Sequence, residues 1–415
     1  MKTQHIVAVG GGAAGFFAAI TCAEASPDAE VMILERTAHF LAKVKISGGG
    51  RCNVTHACFE PRDFARRYPR GERALISALS KFSARDTVNW FAARGVELKT
   101  EKDGRMFPVT DSSQTIIECL THAAMQAGVK LKPNCSVETI SKNPNGGFSL
   151  KLSNGENLEC DQLLLATGGC RTLALGQLAV SLGHKLEPPV PSLFTFHIAV
   201  PWLHELSGVA VEDAEVSIPS VKMRERGPVL VTHWGLSGPA ILRLSAWGAR
   251  WLAEKNYQFP LFVNWLPDWP DEKLSTEFAA RRQSQPAKMI VNFPVAPLSA
   301  RLWTKLIAAA GISAEARWSA LGGTAQHKLI QQLRRTEFTV TGKSLNKDEF
   351  VTCGGVPLDE VDFRTMQSKV CPGLYFAGEV LDVDGITGGF NFQNAWTTGF
   401  LAGRAMADFK TTSSF

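Results

Sequence analysis

Segments that would place the chain in a membrane are missing from the sequence. Residues 6–20 are mildly apolar, but they are too short and too rich in glycine to span a bilayer, and they lack the cleavage pattern of a signal peptide. The nine cysteines form no Cys-x-x-Cys pair and no His-Glu-x-x-His run is present, so neither a zinc site nor a secreted disulfide framework is indicated. We expect a cytoplasmic protein with no metal site.

A strong excess of charge is also missing. The 415 residues are 45% hydrophobic and 20% charged, with a formal net charge of +5, which is the composition of a globular protein of two or three domains. A modest positive charge suits an anionic cofactor, and no run of basic residues indicates a groove for nucleic acid. We expect a small-molecule substrate and neither a nucleic-acid nor a membrane partner, while the oligomeric state stays open.

The first forty residues carry a dinucleotide-binding pattern. Their order is strand, glycine turn, helix, strand and acid: 5–9, then Gly10, Gly12 and Gly15, then 16–24, 31–34 and Glu35. The first glycine allows a tight turn, the second lets a pyrophosphate approach the backbone, and the third lets the helix pack on the strand. A carboxylate twenty residues later can accept hydrogen bonds from a ribose. This pattern predicts a dinucleotide site but leaves NAD and FAD open.

Two further segments contain three candidate catalytic side chains. Residues 43–53 form a glycine-rich loop suited to phosphate or to the edge of a flavin, and Lys45 and Arg51 lie in it. His233 lies in a polar turn, 233–239. A structural role is the alternative for each of the three, so the sequence leaves the catalytic residues unknown.

The order of the predicted strands and helices indicates an α/β domain interrupted by an insertion. We predict a first part at 1–189, with helical structure over 64–95, a turn at 104–108, a helix at 112–127 and an antiparallel meander from about 136. Prolines and short strands mark an inserted region at 190–345, which is mostly helical over about 268–333. The second part of the first domain follows at 346–415 and ends in a helix at 395–409.

Several motifs together resemble a known family. The early glycine motif, Ala166-Thr-Gly168 and Phe376-Ala-Gly-Glu379 resemble the flavoproteins with two dinucleotide-binding domains. Residues 46–55, 232–240 and 373–402 resemble a bacterial flavoprotein family labelled YhiN-like or BaiN-like. That resemblance covers nearly the whole chain. It implies FAD as cofactor and a Rossmann-like FAD domain with a parallel sheet, split by an inserted β-barrel-like region that carries a helical subdomain.

The resemblance also implies roles for individual residues. Around the ADP half it places Gly10, Gly12, Ala14 and Gly15 at the pyrophosphate, Glu35 at the ribose, Arg36 and the Val137 backbone at adenine, and Thr167 and Gly168 alongside. Around the flavin half it places Lys43, Ser47, Asn53, Gly378, Glu379 and Asp384. Gly389, Asn391, Phe392 and Gln393 lie at the start of the last helix, below the pyrimidine edge of the flavin, where the helix dipole favours negative charge.

Two cysteines raise the question of a redox disulfide. Cys52 and Cys58 follow a Gly-Gly pair, as in flavin disulfide reductases, but five residues separate them instead of four. The His-Glu pair that such enzymes carry near the C-terminus is also missing. A packed thiol is the reading that we favour for Cys52.

The sequence thus predicts an FAD-dependent oxidoreductase that moves hydride between flavin and an organic substrate. The reaction that we favour is the reduction of an activated double bond with NAD(P)H as donor. No second strand–glycine–helix motif is present, so the nicotinamide would bind transiently. The alternatives are a flavin oxidase of small amines that uses oxygen, a non-enzymatic flavin redox sensor, and an RNA-interacting flavoprotein.

Overall fold

The chain divides into two units in its computed structural model, which describes residues 3–170, 173–344 and 351–408. One unit consists of Met1–Ser192 with Lys347–Phe415, and the other of Leu193–Asn346. We call them the sheet unit and the barrel unit. Numbered in chain order, the strands are β1 His5–Val9, β2 Glu30–Leu34, β3 Thr55–His56, β4 Leu98–Thr100, β5 Arg105–Pro108, β6 Lys130–Lys132, β7 Val137–Lys142, β8 Phe148–Leu152, β9 Asn157–Cys160, β10 Gln162–Leu165, β11 Glu187–Ser192, β12 Thr195–Ile198, β13 Ala210–Ile218, β14 Met223–Thr232, β15 Gly235–Ser237, β16 Phe259–Asn264, β17 Thr336–Ser344, β18 Val351–Gly355, β19 Val361–Asp362, β20 Gln367–Ser368 and β21 Leu374–Phe376. The helices are α1 Ala13–Ala25, α2 Ala42–Gly50, α3 Pro61–Ala65, α4 Glu72–Lys81, α5 Ala84–Ala92, α6 Ser113–Gln126, α7 Leu173–Val180, α8 Pro201–His204, α9 Pro239–Trp247, α10 Ala249–Glu254, α11 Asp271–Ser284, α12 Ala300–Ala309, α13 Gly323–Arg334 and α14 Phe390–Ala407.

A seven-stranded sheet organises the sheet unit, in the order β19-β20-β21-β10-β1-β2-β6. The strands from β21 to β6 run parallel, and β19 and β20 add an antiparallel edge. The central strands β1 and β10 are almost entirely buried, because parallel strands are covered on both faces. The carboxyl ends of β1, β2, β10 and β21 therefore meet at one edge of the sheet, which is where ligands bind in such folds.

Two helices from opposite ends of the sequence pack tightly in this unit. An added Cβ at Gly399 of α14 would lie 2.8 Å from the carbonyl oxygen of Ala14 in α1, and one at Gly403 would overlap the carbonyl oxygen of Ala18. Only glycine permits this approach of two helix backbones. The start of α14 is thereby fixed relative to the turn after β1.

The barrel unit is a closed antiparallel barrel with the order β12-β15-β14-β13-β16-β17. The chain between β16 and β17 forms α11, α12 and α13, whose apolar sides join one hydrophobic core with the barrel strands. Trp265, Trp303 and Trp318 are completely buried there. The predicted fold class is confirmed: an α/β unit with a parallel sheet and the small meander β7-β8-β9, interrupted by a β-barrel with a helical part.

Two local predictions were wrong, and a third was confirmed in finer detail. Residues 104–108 are not only a turn, because 105–108 form β5, whose residues Met106 and Phe107 are buried between β3 and β4. The segment 64–95 is helical as predicted, and its helices are α3 to α5, separated at Gly71 and at the Ser83 cap of α5. The last helix begins at Phe390, five residues before the predicted start, and the end predicted for it, residue 409, lies outside the described residues.

Candidate active site

The turn between β1 and α1 leaves open space at its centre. Added Cβ atoms at Gly10 and Gly15 would overlap the carbonyl oxygens of Ala166 and Gly10, so those glycines are required by the protein's own packing. At Gly12, which has an ordinary φ of −91°, an added Cβ meets nothing within 4 Å. Among the described residues no side chain caps α1, so its first N–H groups can bind an anion.

Glu35 is held beside this turn. Its Oε2 accepts a hydrogen bond from the Gly11 N–H, and its Oε1 accepts from the N–H and hydroxyl of Thr37, all at 2.9 Å. The carboxylate is thus fixed in place, with lone pairs left over for ribose hydroxyls. The N–H of Cys135 donates to the Glu35 carbonyl at 2.8 Å, which brings the chain leading to Val137 to the same place. Arg36 is exposed.

The ends of β10 and β21 bring residues from distant segments together. An added Cβ at Gly378 would lie 2.9 Å from the Cβ of Ala14, so the glycine turn touches the late acidic motif. Next to it, Glu379 accepts from Lys43 Nζ at 2.6 Å and from the Thr352 N–H at 2.9 Å. Lys43 and Glu379, 336 positions apart, are therefore direct neighbours.

Two threonine hydroxyl groups are buried in this region. Within the described ranges, neither Thr167 Oγ1 nor Thr352 Oγ1 has a hydrogen-bond partner. Gly169, two residues after Thr167, lies against both Thr352 and Glu379. Its added Cβ would lie 2.5 Å from Thr352 Oγ1 and 2.6 Å from Glu379 Oε1. Buried hydroxyls without partners are costly, so these two are suited to a bound ligand. Sequence reasoning singled out Thr167 but missed Thr352.

The start of α14 is built from two separate segments. Gly389, with a φ of +94°, precedes the helix, and an added Cβ there would lie 2.5 Å from the carbonyl oxygen of Thr55. In the amide orientation that satisfies both groups, Asn53 donates to the Thr55 carbonyl and accepts from the Gly389 N–H, each at 3.0 Å. No described side chain caps α14, so its first turn offers N–H groups and the positive end of the helix dipole.

Three predicted residues in the first turn of α14 have different surroundings. The side-chain amide of Asn391 accepts a hydrogen bond from the Gly385 N–H at 2.8 Å and donates one to the Gly385 carbonyl at 2.9 Å. The ring of Phe392 stacks on Trp396 with centroids 5.7 Å apart. Gln393 is completely buried, and its amide binds the hydroxyls of three threonines. Its side chain therefore serves the interior, and only its backbone belongs to the helix start.

Asp384 is completely buried and engaged by two other side chains. Both of its oxygens bind the Arg70 guanidinium, and Ser192 Oγ donates to it at 2.7 Å. Burial raises the pKa of Asp384, and the guanidinium opposes that rise. In this structure Asp384 fixes the loop that leads to α14, rather than presenting a free carboxylate.

Each candidate catalytic side chain is described by its own surroundings. Arg51 pairs with Glu101 at 2.7 Å and lies 4.0 Å over the ring of Phe107, and the pairing raises its pKa. The side chain of Lys45 is exposed, and His233 is an exposed residue of the β14–β15 turn in the barrel unit. Ser47 uses its hydroxyl to donate to the Val44 carbonyl at 2.9 Å.

His56 is a residue that sequence reasoning missed. Its ring stacks on Phe390, the first residue of α14, at 4.9 Å, and Nε2 lies 3.1 Å from the Asp103 carbonyl. Burial lowers the pKa of His56, so the imidazole is neutral at neutral pH. The sequence signal was available, because His56 lies three residues after Asn53 in a segment already assigned to the flavin side.

Cys52 has the surroundings of a packed thiol. It is completely buried, and burial raises its pKa to about 12. We expect iodoacetamide at neutral pH to leave Cys52 unlabelled in the native protein and to label it after unfolding, because the thiolate is the reactive form. Mass spectrometry of tryptic peptides checks this, with the half-exposed Cys135 as the internal reference. Rapid native labelling of Cys52 would contradict it.

The described residues fit FAD. The open space at Gly12 and the uncapped start of α1 suit a pyrophosphate, and the fixed carboxylate of Glu35 suits a ribose. Within the described ranges, the buried hydroxyls of Thr167 and Thr352 have no protein partner and suit the polar groups of a ligand. In the described ranges no group of three His, Cys, Asp or Glu residues is placed to bind a metal, and no helix is long and apolar enough to cross a membrane.

The chain is similar to known proteins over nearly its whole length. The family model described as HI0933-like protein Rossmann domain matches residues 4–405. The 3-dehydro-bile acid delta(4,6)-reductase of Clostridium scindens is 30% identical over 414 residues, 98% of this chain and 99% of that protein. The ribosomal RNA dihydrouridine synthase of Escherichia coli is 30% identical over 423 residues, 99% of this chain and 100% of that protein. In fold, the chain resembles 3-ketosteroid delta1-dehydrogenase from Sterolibacterium denitrificans, with a TM-score of 0.53 at 14% identity over 98% of this chain and 100% of that one.

Proposed function

The chain belongs to the HI0933-like family of flavin-dependent oxidoreductases, and on that premise we propose that it reduces a carbon–carbon double bond conjugated to a carbonyl group. FAD, when bound, supplies the hydride. The second hydrogen reaches the carbon next to the carbonyl as a proton. NAD(P)H is the proposed donor that restores the reduced cofactor, and the nine free cysteines support a reducing, cytoplasmic compartment.

The names of two relatives that match over nearly the whole chain carry this proposal. A delta(4,6)-reductase of a 3-dehydro-bile acid acts on a double bond conjugated to a ketone. A dihydrouridine synthase makes its product by saturating the double bond of uracil, which is conjugated to a carbonyl. The shared chemistry is hydride addition to the carbon remote from the carbonyl, and it favours a reductase over an amine oxidase.

In this proposal, different residues of the sheet unit bind different parts of FAD. The glycine turn binds the pyrophosphate through backbone N–H groups, and Glu35 accepts from the adenosine ribose. The uncapped start of α14 offers its dipole to negative charge on the flavin, which favours the reduced cofactor. Lys43 and Glu379 orient each other beside the two threonine hydroxyls.

Anaerobic mixing with NADPH or NADH tests the donor. We expect one nucleotide to bleach the flavin absorbance at about 450 nm, because the cofactor carries the redox chemistry. Adding a 4-ene-3-ketosteroid should restore the colour, and the matching saturated ketone should not. No bleaching by either nucleotide would contradict the NAD(P)H-dependent reaction.

Further measurements on the same FAD-loaded protein separate the other functions. Peroxide release with a small amine and oxygen, without consumption of nicotinamide, would favour an amine oxidase. A flavin that bleaches but turns over no acceptor would favour a redox sensor. Uridine in ribosomal RNA is the second candidate substrate, because the similarity to the dihydrouridine synthase extends over 99% of the chain. Dihydrouridine in treated ribosomal RNA, measured by mass spectrometry of nucleosides, would identify it.

A further inference from the structure

The imidazole of His56 is held in one position by its neighbours. Its ring stacks on Phe390 with centroids 4.9 Å apart and the two planes 24° apart. Two glycines also lie against the ring, since an added Cβ at Gly104 would overlap its Cε1 and one at Gly388 would lie 3.6 Å from its Cδ2. The backbone of His56 is paired with Arg105 in the antiparallel ladder of β3 and β5. The packing therefore fixes where the two ring nitrogens lie.

The surroundings of the two nitrogens assign the hydrogen on the ring. Nε2 of His56 lies 3.1 Å from the carbonyl oxygen of Asp103, which can only accept, so Nε2 carries the hydrogen. Burial lowers the pKa of His56, so the ring carries no second proton at neutral pH. Nδ1 therefore keeps its lone pair. Among the described residues, this buried nitrogen has no hydrogen-bond partner, and a buried acceptor without a donor is costly. Nδ1 thus suits an N–H or O–H group of a ligand.

Hydrogen-bond donors lie next to this acceptor. Phe390, whose ring covers the imidazole, is the first residue of α14, and no described side chain caps that helix, so its first N–H groups can donate to a ligand. The segment that leads into β3 is tied to the same helix. Asn53 accepts from the Gly389 N–H at 3.0 Å, and Trp396 Nε1 donates to the Val54 carbonyl at 2.9 Å. The donors of α14 and the acceptor of His56 are therefore held in a fixed relation.

We propose that Nδ1 of His56 accepts a hydrogen bond from the N3–H of the flavin ring of FAD. The pyrimidine edge of a flavin carries a carbonyl, the N3–H and a second carbonyl in a row. Its carbonyl oxygens suit the N–H groups at the start of α14, and its single donor suits Nδ1. A ribityl hydroxyl could also donate, but it is one group, whereas α14 and His56 together match an edge that has both acceptors and a donor. The inference concerns recognition of the cofactor and is independent of the substrate that is reduced.

A comparison of FAD with 3-methyl-FAD tests the inference, because the methyl group removes the donor from the cofactor. The test variant is His56→Phe, which keeps an aromatic ring against Phe390 and removes the acceptor. Flavin fluorescence gives the dissociation constant of each cofactor for the full-length protein freed of FAD. We expect the unaltered protein to prefer FAD over 3-methyl-FAD by a ratio about tenfold larger than that of His56→Phe. The extra preference needs donor and acceptor together, so it measures their coupling and not a general loss of stability.

The control is His122→Phe, which alters an exposed histidine of α6 and should keep the full preference. Equal preferences in the unaltered protein and in His56→Phe would overturn the inference, and so would an equal loss in His122→Phe.

A second measurement decides the matter on the unaltered protein, even where His56→Phe does not fold. FAD labelled with nitrogen-15 is bound to protein whose histidines carry the same isotope. We expect a scalar coupling between flavin N3 and one imidazole nitrogen across the N–H···N hydrogen bond. An N3 signal without that coupling would overturn the inference. Neither measurement depends on hydride transfer, so the contact of His56 can stand while the proposed reductase fails, and the reverse.

Discussion

Replacing Gly12 by valine is expected to prevent FAD binding while the apoprotein keeps its fold. The position has room for a side chain and an ordinary backbone conformation, so the substitution meets nothing in the protein itself. The valine methyl groups would instead occupy the place where the pyrophosphate approaches the N–H groups of α1. Losing two charge-assisted hydrogen bonds, worth about 1.5 to 3 kcal/mol each, raises the dissociation constant of FAD by at least about 100-fold.

The measurements are the flavin content of the purified variant and the thermal unfolding of the apoprotein. Valine is a poorer N-cap than glycine, so a loss of stability below about 1 kcal/mol is compatible with the prediction. Gly15→Ala is the matched control, because its Cβ would overlap the carbonyl oxygen of Gly10. It should destabilise the apoprotein itself. A Gly12 variant that still purifies with full FAD would show that the pyrophosphate lies elsewhere.

Replacing Arg70 by alanine is expected to destabilise the protein by about 3 to 5 kcal/mol, because it leaves a completely buried carboxylate without its partner. Arg51→Ala is the control, since it removes an arginine from an ion pair with Glu101 in which both side chains are about one-third exposed. Pairs of that kind contribute about 1 kcal/mol or less. Urea unfolding of both variants, followed by circular dichroism, gives the two values.

The loss in Arg70→Ala should depend on pH. Burial already raises the pKa of Asp384 above its unfolded value, and removing the guanidinium raises it further. The folded state then binds a proton that the unfolded state has lost, so stability falls as pH rises between the two pKa values. The deficit should therefore be larger at about pH 8 than at about pH 5. A deficit that is equal at both pH values, or one no larger than that of Arg51→Ala, would mean that Asp384 does not need its partner.

The elements around the candidate site that could be predicted from the sequence are those that follow one another along the chain. Strand, glycine turn, helix and Glu35 occupy consecutive positions, and each has a backbone requirement that only certain residues meet, as at Gly10 and Gly15. The fold class follows for the same reason, because the alternation of strands and helices is local. The predicted start of α14 is five residues too late, because Gly389, which precedes the helix, resembles part of a longer loop.

The parts that sequence could not reveal depend on side chains that meet across long separations. Thr352 lies among ordinary strand residues, and only the fold puts its hydroxyl beside Gly169 and Glu379. Asp384 looked like a ligand of the flavin side, and only its contact with Arg70, 314 positions away, gives it another task. Arg51 looked available until the fold placed Glu101 beside it. The spacing of residues along the chain does not show which distant side chains come into contact.

The neighbouring positions of β10 and β21 in the central sheet have a consequence for biosynthesis. About 210 residues separate the end of β10 at Leu165 from the start of β21 at Leu374, and α14 comes later still. At translation rates of roughly 5 to 20 residues per second, β10 waits about 10 to 40 s for its partner strand. The whole barrel unit leaves the ribosome in that interval, while one edge of a parallel sheet stays exposed. The half-built sheet is therefore the nascent form most in need of a chaperone, and cofactor loading has to follow the synthesis of α14.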